Sequence, residues 1–153
     1  MEKLRKHESI GRDISHLFRS IRNFMGRQLE PYGISDAQFP FLMLLLYEDG
    51  ISQEKLATSL KCDRATSARA IAKLEYAGYV YRVIDPDNRR AYKVFLTEQG
   101  IEMEHILLAV SKDMNDILLE DFTEEEKLAF RNMIQRAGTN ISKRNQTRKN
   151  TDE

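Results

Sequence analysis

Eight side chains between Arg64 and Arg90 have the types and spacing for chemistry that makes no covalent bond. Arg64, Ala65, Thr66, Arg69 and Lys73 fall within one helical run, and Asn88, Arg89 and Arg90 follow a turn built on Asp85-Pro86-Asp87. Guanidinium groups present paired donors to phosphates and base edges, a hydroxyl donates and accepts, and alanine permits close approach. That combination suits a helix entering a DNA major groove, with a basic hairpin beside it.

Catalysis has no comparable set of residues. His7, His16 and His105 show no metal-ligand spacing, and the chain has no glycine-rich phosphate loop, serine elbow or Cys-x-x-Cys. Glu124-Glu125-Glu126 invites a metal reading, but acidic residues in a first helical turn complement the helix dipole. The chain is therefore read as a non-enzyme that needs neither metal nor cofactor. Cys62, the single cysteine, fits a reducing compartment and reads as a small hydrophobe rather than a sensor.

The reading residues need a scaffold, and its outline is legible. Winding Asp63 to Tyr76 at about 100° per residue puts Ser67, Ile71 and Leu74 inward and Ala65, Thr66, Arg69, Ala72, Lys73 and Tyr76 outward. Asp63 is the N-cap and Gly78 the stop. Upstream, Ser52 caps a short helix bearing Leu56, Ala57 and Leu60, and only Lys61 and Cys62 separate the two helices. That is a helix-turn-helix lacking the glycine often found in its turn. Downstream, 79–84 and 92–96 are β-branched and aromatic, predicting two strands around a wing loop that holds Arg89 and Arg90.

Flanking segments carry long apolar stripes. Ile10, Ile14, Leu17, Phe18, Ile21, Phe24 and Met25 predict a helix over about 9–30, ended by Pro31 and Gly33. Its opposite face bears Arg12, His16, Arg19 and Asn23, as a solvated face, a subunit contact or an anion site. Ser35 with Gln38 forms a capping-box pattern for a second helix, where Pro40 falls at an awkward interior position. Thr97 and Gly100 open one long helix with Met103, Leu107, Val110, Met114, Ile117 and Leu118. Thr123 with Glu126 caps a last helix reaching Ile141. From Ser142 onward no apolar side chain remains, and a disordered tail is expected.

Length and 41% apolar content allow one compact domain, or one domain with an extension. Net charge is zero, yet 61–93 carries eight cations against four anions, whereas 98–126 carries ten anions and only Lys112. A basic module joined to an acidic one suggests a surface facing a polyanion and a scaffold that does not. No apolar run approaches the roughly 20 residues of a membrane span, and Met1 to Lys6 lack a signal-peptide core, so a cytoplasmic location is expected.

Taken together, Asp13-Ile14 through Gly33, Gln38-Phe39, Leu56-Ala57, the Arg64 to Leu74 helix with Gly78-Tyr79-Val80, Asp85 to Ala91 and Leu96-Thr97-Glu98-Gln99-Gly100 resemble the MarR family of winged-helix regulators. The resemblance implies a mostly α fold with a small β-wing: a winged helix-turn-helix region (35–97) between an N-terminal dimerisation helix (1–34) and C-terminal dimerisation helices (98–141), then a tail (142–153). It also implies a homodimer on a pseudo-palindromic duplex operator, acting as a repressor released by a small phenolic or aromatic-acid effector. Wing arginines of the family reach the minor groove. An effector site between the first two helices and the winged region would use Tyr32 with Arg12, His16 or Arg19.

Departures are specific. Asn88 stands where the family commonly places Asp before the Arg pair, replacing an ion pair by a neutral hydrogen bond. Ser67 occupies an inward position where a larger apolar residue is common. Cys62 lies outside the first helix, so a peroxide-sensing role is not inherited. The other class of function, a winged helix serving only protein interaction, calls for apolar anchors on the outward face; Thr66, Arg69 and Lys73 stand there instead.

Overall fold

The structure is a computed structural model describing residues 9–149, so Met1 to Lys6 and His7 lie outside the described residues. It comprises two compact units, divided at Met114/Asn115. In the first, helix α1 (Ile10–Leu29) opens with Ser9 as N-cap and is followed by a 3-10 turn, Glu30–Tyr32, closed by Gly33 at φ +66°. The apolar stripe splits in two. Met25 and Leu29 join the core with Ile21 and Phe24 against it, whereas Ile10, Ile14 and Phe18 are 75, 57 and 58% exposed.

Helix α2 (Phe39–Tyr47) starts three residues later than the Ser35 cap predicts. Gln38 Oε1 does accept the Ser35 N–H at 2.8 Å, but the Ser35 carbonyl accepts the Gln38 N–H at 3.0 Å, so the pair closes a turn ahead of the helix. Pro40 therefore sits in the first helical turn, where no N–H is needed. The expected kink does not arise.

Strand β1 (Ile51–Ser52), too short to show as a sequence pattern, leads into α3 (Gln53–Ser59), capped by Ser52 Oγ on the Lys55 N–H. Lys61 then takes φ +52°, the left-handed geometry a glycine would adopt freely. Helix α4 (Arg64–Tyr76) ends at Gly78, φ +84°. Strands β2 (Val80–Asp85) and β3 (Asn88–Leu96) complete an antiparallel sheet of order β1-β3-β2, with a bulge at Ile84/Asp85. The expected loop thus shrinks to Pro86-Asp87, and Arg89 and Arg90 lie on β3 rather than at a loop tip. One pair, Asp85 with Asn88, extends the sheet beyond Tyr92 across the bulge, over residues whose own β-propensity is poor. The core of this unit includes Leu42, Leu45, Leu56, Ile71, Leu74, Val80, Val94 and Leu107.

Thr97 caps α5 (Glu98–Glu102), and α6 (Glu104–Leu118) follows after a break at Met103. One continuous helix was the expectation. Met103 instead bonds back to the Gly100 carbonyl, a tighter turn that accompanies burial of its side chain. Gly100 is required for another reason: a Cβ there would stand 2.2 Å from the Tyr79 carbonyl oxygen.

The second unit, described from 115 to 149, contains the end of α6 and helix α7 (Glu124–Lys149). Both bonds of the expected capping box form: the Thr123 N–H donates to Glu126 Oε2 at 2.8 Å, and the Glu126 N–H to Thr123 Oγ1 at 3.2 Å. The disordered tail expected from Ser142 is instead helical to Lys149. Lys, Arg and Gln are good helix formers, and extending an existing helix needs no nucleus and no apolar face. Residues 150–153 lie outside the described residues. No described side chain of α7 is buried, and Leu128, Met133, Ile134 and Ile141 are all more than half exposed. Among the described residues no helix is long and apolar enough to cross a membrane.

Two glycine substitutions test this packing in opposite directions. Gly100→Ala should lower unfolding free energy by about 1–3 kcal/mol through overpacking. Gly26→Ala, within α1 with nothing inside 4 Å of the added methyl, should raise it by about 0.5–1 kcal/mol. Urea unfolding of both variants decides; equal effects would refute the close approach at Tyr79.

Candidate nucleic-acid interface

Helix α4 presents the face that its sequence periodicity requires. Ser67, Ala70, Ile71 and Leu74 are buried, while Arg64, Ala65, Arg69, Ala72, Lys73 and Tyr76 are exposed and Thr66 is half-buried. Ser67 is fully buried despite its hydroxyl, which reaches the Gln53 carbonyl only at 3.5 Å, the outer limit of a hydrogen bond.

The first turn of α4 is organised by Asp63. Its Oδ1 accepts the Thr66 N–H at 2.7 Å and its Oδ2 accepts the Thr66 hydroxyl at 2.9 Å. Thr66 Oγ1 in turn accepts from Arg69 Nη2 at 3.3 Å. Hydrogen bonds from the Thr66 backbone and side chain, with the Arg69 charge adding to them, hold the Asp63 carboxyl below its ordinary pKa. This chain of contacts orients Arg69 along the outward face before any partner arrives.

The two wing arginines are placed differently. Asn88, Arg90, Ala91 and Tyr92 line a cleft of about 310 Å³ whose other wall is Gln53, Glu54, Arg64 and Ser67. Arg64 and Arg90 are therefore brought to one cleft between the helix-turn-helix and the wing, and Arg89 does not line it. Asn88 Oδ1 accepts the Arg90 N–H at 3.2 Å, a neutral hydrogen bond to backbone and not to a guanidinium. Within the cleft the one acidic side chain, Glu54, pairs with Arg64 at 3.2 Å. Among the described residues Lys73, Arg89 and Arg90 form no ion pair.

Sequence reasoning missed Gln53, Glu54 and Tyr92 as walls of this cleft. They come from separate elements that only the tertiary fold brings together, and no local spacing signals them. Gln53 Oε1 is buried without a protein partner.

The suggested effector residues are not gathered in one place on this chain. Arg12, His16 and Arg19 are exposed on α1, with Arg19 Nη1 donating to Ser15 Oγ at 2.9 Å. Tyr32 lies past the far end of that helix; the ten residues from Arg19 to Leu29 alone rise about 15 Å. The Tyr32 carbonyl accepts the hydroxyl of buried Tyr79 at 2.6 Å. Cys62, half-buried, packs against the core of the first unit, as a small hydrophobe would.

A family model described as "MarR family" matches residues 34–92. An HTH-type transcriptional regulator of Bacillus subtilis (strain 168), YybA, is 31% identical over 86% of this chain and 88% of its own. Among solved structures, a MarR transcriptional regulator from Methanosarcina mazei Go1 is 42% identical with a TM-score of 0.81, covering 88% of this chain and 96% of that one. A Listeria monocytogenes MarR-family regulator solved with a 26mer DNA is 28% identical with a TM-score of 0.82, covering 89% and 91%.

The Asp63 cap generates a pH prediction with a definite sign. Its native pKa is depressed, so its contribution is present above the unfolded value of about 3.9 and is lost as pH falls through the lower native value. Asp63→Ala should lower the urea midpoint at pH 7, whereas Asp63→Asn, also a good cap, should nearly retain it. Below about pH 4 the wild type should lose its margin over Asp63→Ala, and the gap between Asp63→Asn and Asp63→Ala should persist. A pH-independent gap between wild type and Asp63→Ala would contradict the assignment.

Proposed function

Because the chain belongs to the MarR family of transcriptional regulators, we propose that it binds a pseudo-palindromic duplex operator as a homodimer and represses transcription until a small aromatic or anionic ligand releases it. The observation that carries this reading is the outward face of α4, where Arg64, Ala65, Thr66, Arg69 and Lys73 stand free of the core beside a wing bearing Arg90. Arg69 and Thr66 suit base edges in the major groove, Lys73 and Arg64 suit phosphates, and Arg90 suits the narrow minor groove of A·T-rich flanks. Arg89 and Asn88 serve the wing, Arg89 as a phosphate contact and Asn88 by fixing the Arg90 backbone.

Exposed apolar side chains support the dimer. Ile10, Ile14 and Phe18 on α1, and Leu128, Met133, Ile134 and Ile141 on α7, are more than half exposed in one protomer. A second copy supplies the surface that covers them, and it sets two recognition helices about one helical turn of DNA apart. Effector binding would use Tyr32 with a cation from Arg12, His16 or Arg19. Given the separation along α1, that cation comes from the partner's helix.

Selection of bound fragments from randomised duplex DNA, repeated with a panel of aromatic acids, tests the whole reading. A dimer by sedimentation at micromolar concentration, a palindromic consensus and a steep loss of affinity with salt are expected. A monomer, or no preference over random DNA, defeats it and favours a protein-interaction module.

Single substitutions then separate roles. Arg69→Ala should cost about 1–3 kcal/mol of discrimination between the selected site and its base-substituted versions. Arg90→Ala should leave folding intact and reduce the preference for A·T-rich over G·C-rich flanks; an equal loss on both would make the wing an electrostatic clamp. For the effector, DNA must weaken salicylate-like ligands by the factor with which they weaken DNA. Identical ligand affinity with and without duplex would rule out coupling.

A further inference from the structure

A wing contributes to recognition only if its position relative to the recognition helix is fixed, and burial alone does not fix it. On β2 every side chain beyond Val80, and on β3 every side chain before Val94, is half-buried or exposed. The outer ladder therefore faces α4 across an open cleft, with no packed core of its own.

One side chain ties the ladder to the other end of α4, outside that cleft. Arg82, on β2, donates to Glu75 Oε2 of α4 from both Nε (3.1 Å) and Nη2 (2.7 Å). Its guanidinium carbon also lies 5.4 Å from the ring centroid of Tyr92 on β3. Arg82 pairs with Val94 and Ile84 with Tyr92, so Arg82 and Tyr92 are diagonal neighbours on one face of the sheet. Tyr92 is two residues from Arg90, and both line the cleft against α4. The ion pair is only about a third exposed at each partner, which limits screening by solvent.

We propose that Glu75, Arg82 and Tyr92 form a positioning bridge that locks the wing to α4, so that Arg90 meets the duplex flank in register with Arg69. Arg82 is a positioning residue that acts through Arg90 and makes no essential contact with DNA. This rests on the DNA-binding reading. Its two-nitrogen fork is used on Glu75 and its charge on both Glu75 and Tyr92, so a cation without the fork keeps only part of the lock.

The test uses the full chain, a duplex recovered by selection with the wild-type protein, and versions of that duplex with A·T-rich and G·C-rich flanks. Arg82→Met keeps the aliphatic stem and removes the bridge; Glu75→Gln removes the ion pair from the other side. In free protein, both should speed amide hydrogen exchange across 88–93, by about tenfold for Arg82→Met, while amides of α2 and α4 stay unchanged. On DNA, Arg82→Met should remove the flank preference and retain discrimination at the positions Arg69 reads. Arg90→Ala should add little in the Arg82→Met background, because both act through one contact. Arg82→Lys should fall between wild type and Arg82→Met.

Unchanged exchange over 88–93 overturns the bridge. So does an Arg82→Met loss equal on both flanks and additive with Arg90→Ala, which makes Arg82 a plain phosphate contact. If the wild type recovers no duplex, the DNA reading fails along with the proposed role, and the exchange data still report whether the bridge exists.

Discussion

The winged region closes on one backbone group, the carbonyl of Tyr79. It accepts the Thr97 N–H at 3.0 Å while Gly100 packs so near that no side chain fits there, and the Thr97 hydroxyl donates to the Gly78 carbonyl at 2.6 Å. In a few ångströms this joins the end of α4, the start of β2, the end of β3 and the start of α5. The orientation of the recognition helix is thus set by the strands that also carry the wing. Tyr79 extends the junction further, through its hydroxyl to the Tyr32 carbonyl and hence to the turn that follows α1. The buried hydroxyl is tolerated there because it has a hydrogen-bond partner.

Electrostatics follows the same division between fixed and free. Arg82, with Glu75 as its structural partner, sits where two elements meet. Lys73, Arg89 and Arg90, without ion pairs among the described residues, stand on surfaces that the core does not need. The neutral net charge of the chain conceals this arrangement, since the acidic excess lies in 98–126. A local field of one sign over a small area is enough to attract a polyanion.

Much of this was legible because it depends on local chemistry. Asp63, Ser52 and Thr123 act as caps, as their residue types and following positions require, and the buried and exposed faces of α4 follow directly from helical periodicity. The start of α2 was misjudged because Ser35 and Gln38 form a turn that shares its hydrogen bond with a capping box. The length of β3 was underestimated because Asn88 is held by its partner Asp85, and Arg89 to Ala91 run between that pair and Tyr92 through the bulge, against their own propensity. The tail beyond Ser142 was misjudged because absence of an apolar face argues against packing, not against helix. At the site, the outward face of α4 was visible in sequence; the cleft walls Gln53, Glu54 and Tyr92 were not, since Tyr92 is far in the chain from Gln53 and Glu54.

Lys61 in the turn between α3 and α4 carries a consequence of its own. An L-residue held at φ +52° is strained by about 1 kcal/mol relative to glycine. The strained residue is also a cation at the entrance to the recognition helix, so relieving the backbone would remove a charge from the basic module. Stability and polyanion attraction are thereby set against each other at a single position. A library screened for heat resistance alone would favour glycine there, and one screened for retention on a polyanion would keep the lysine.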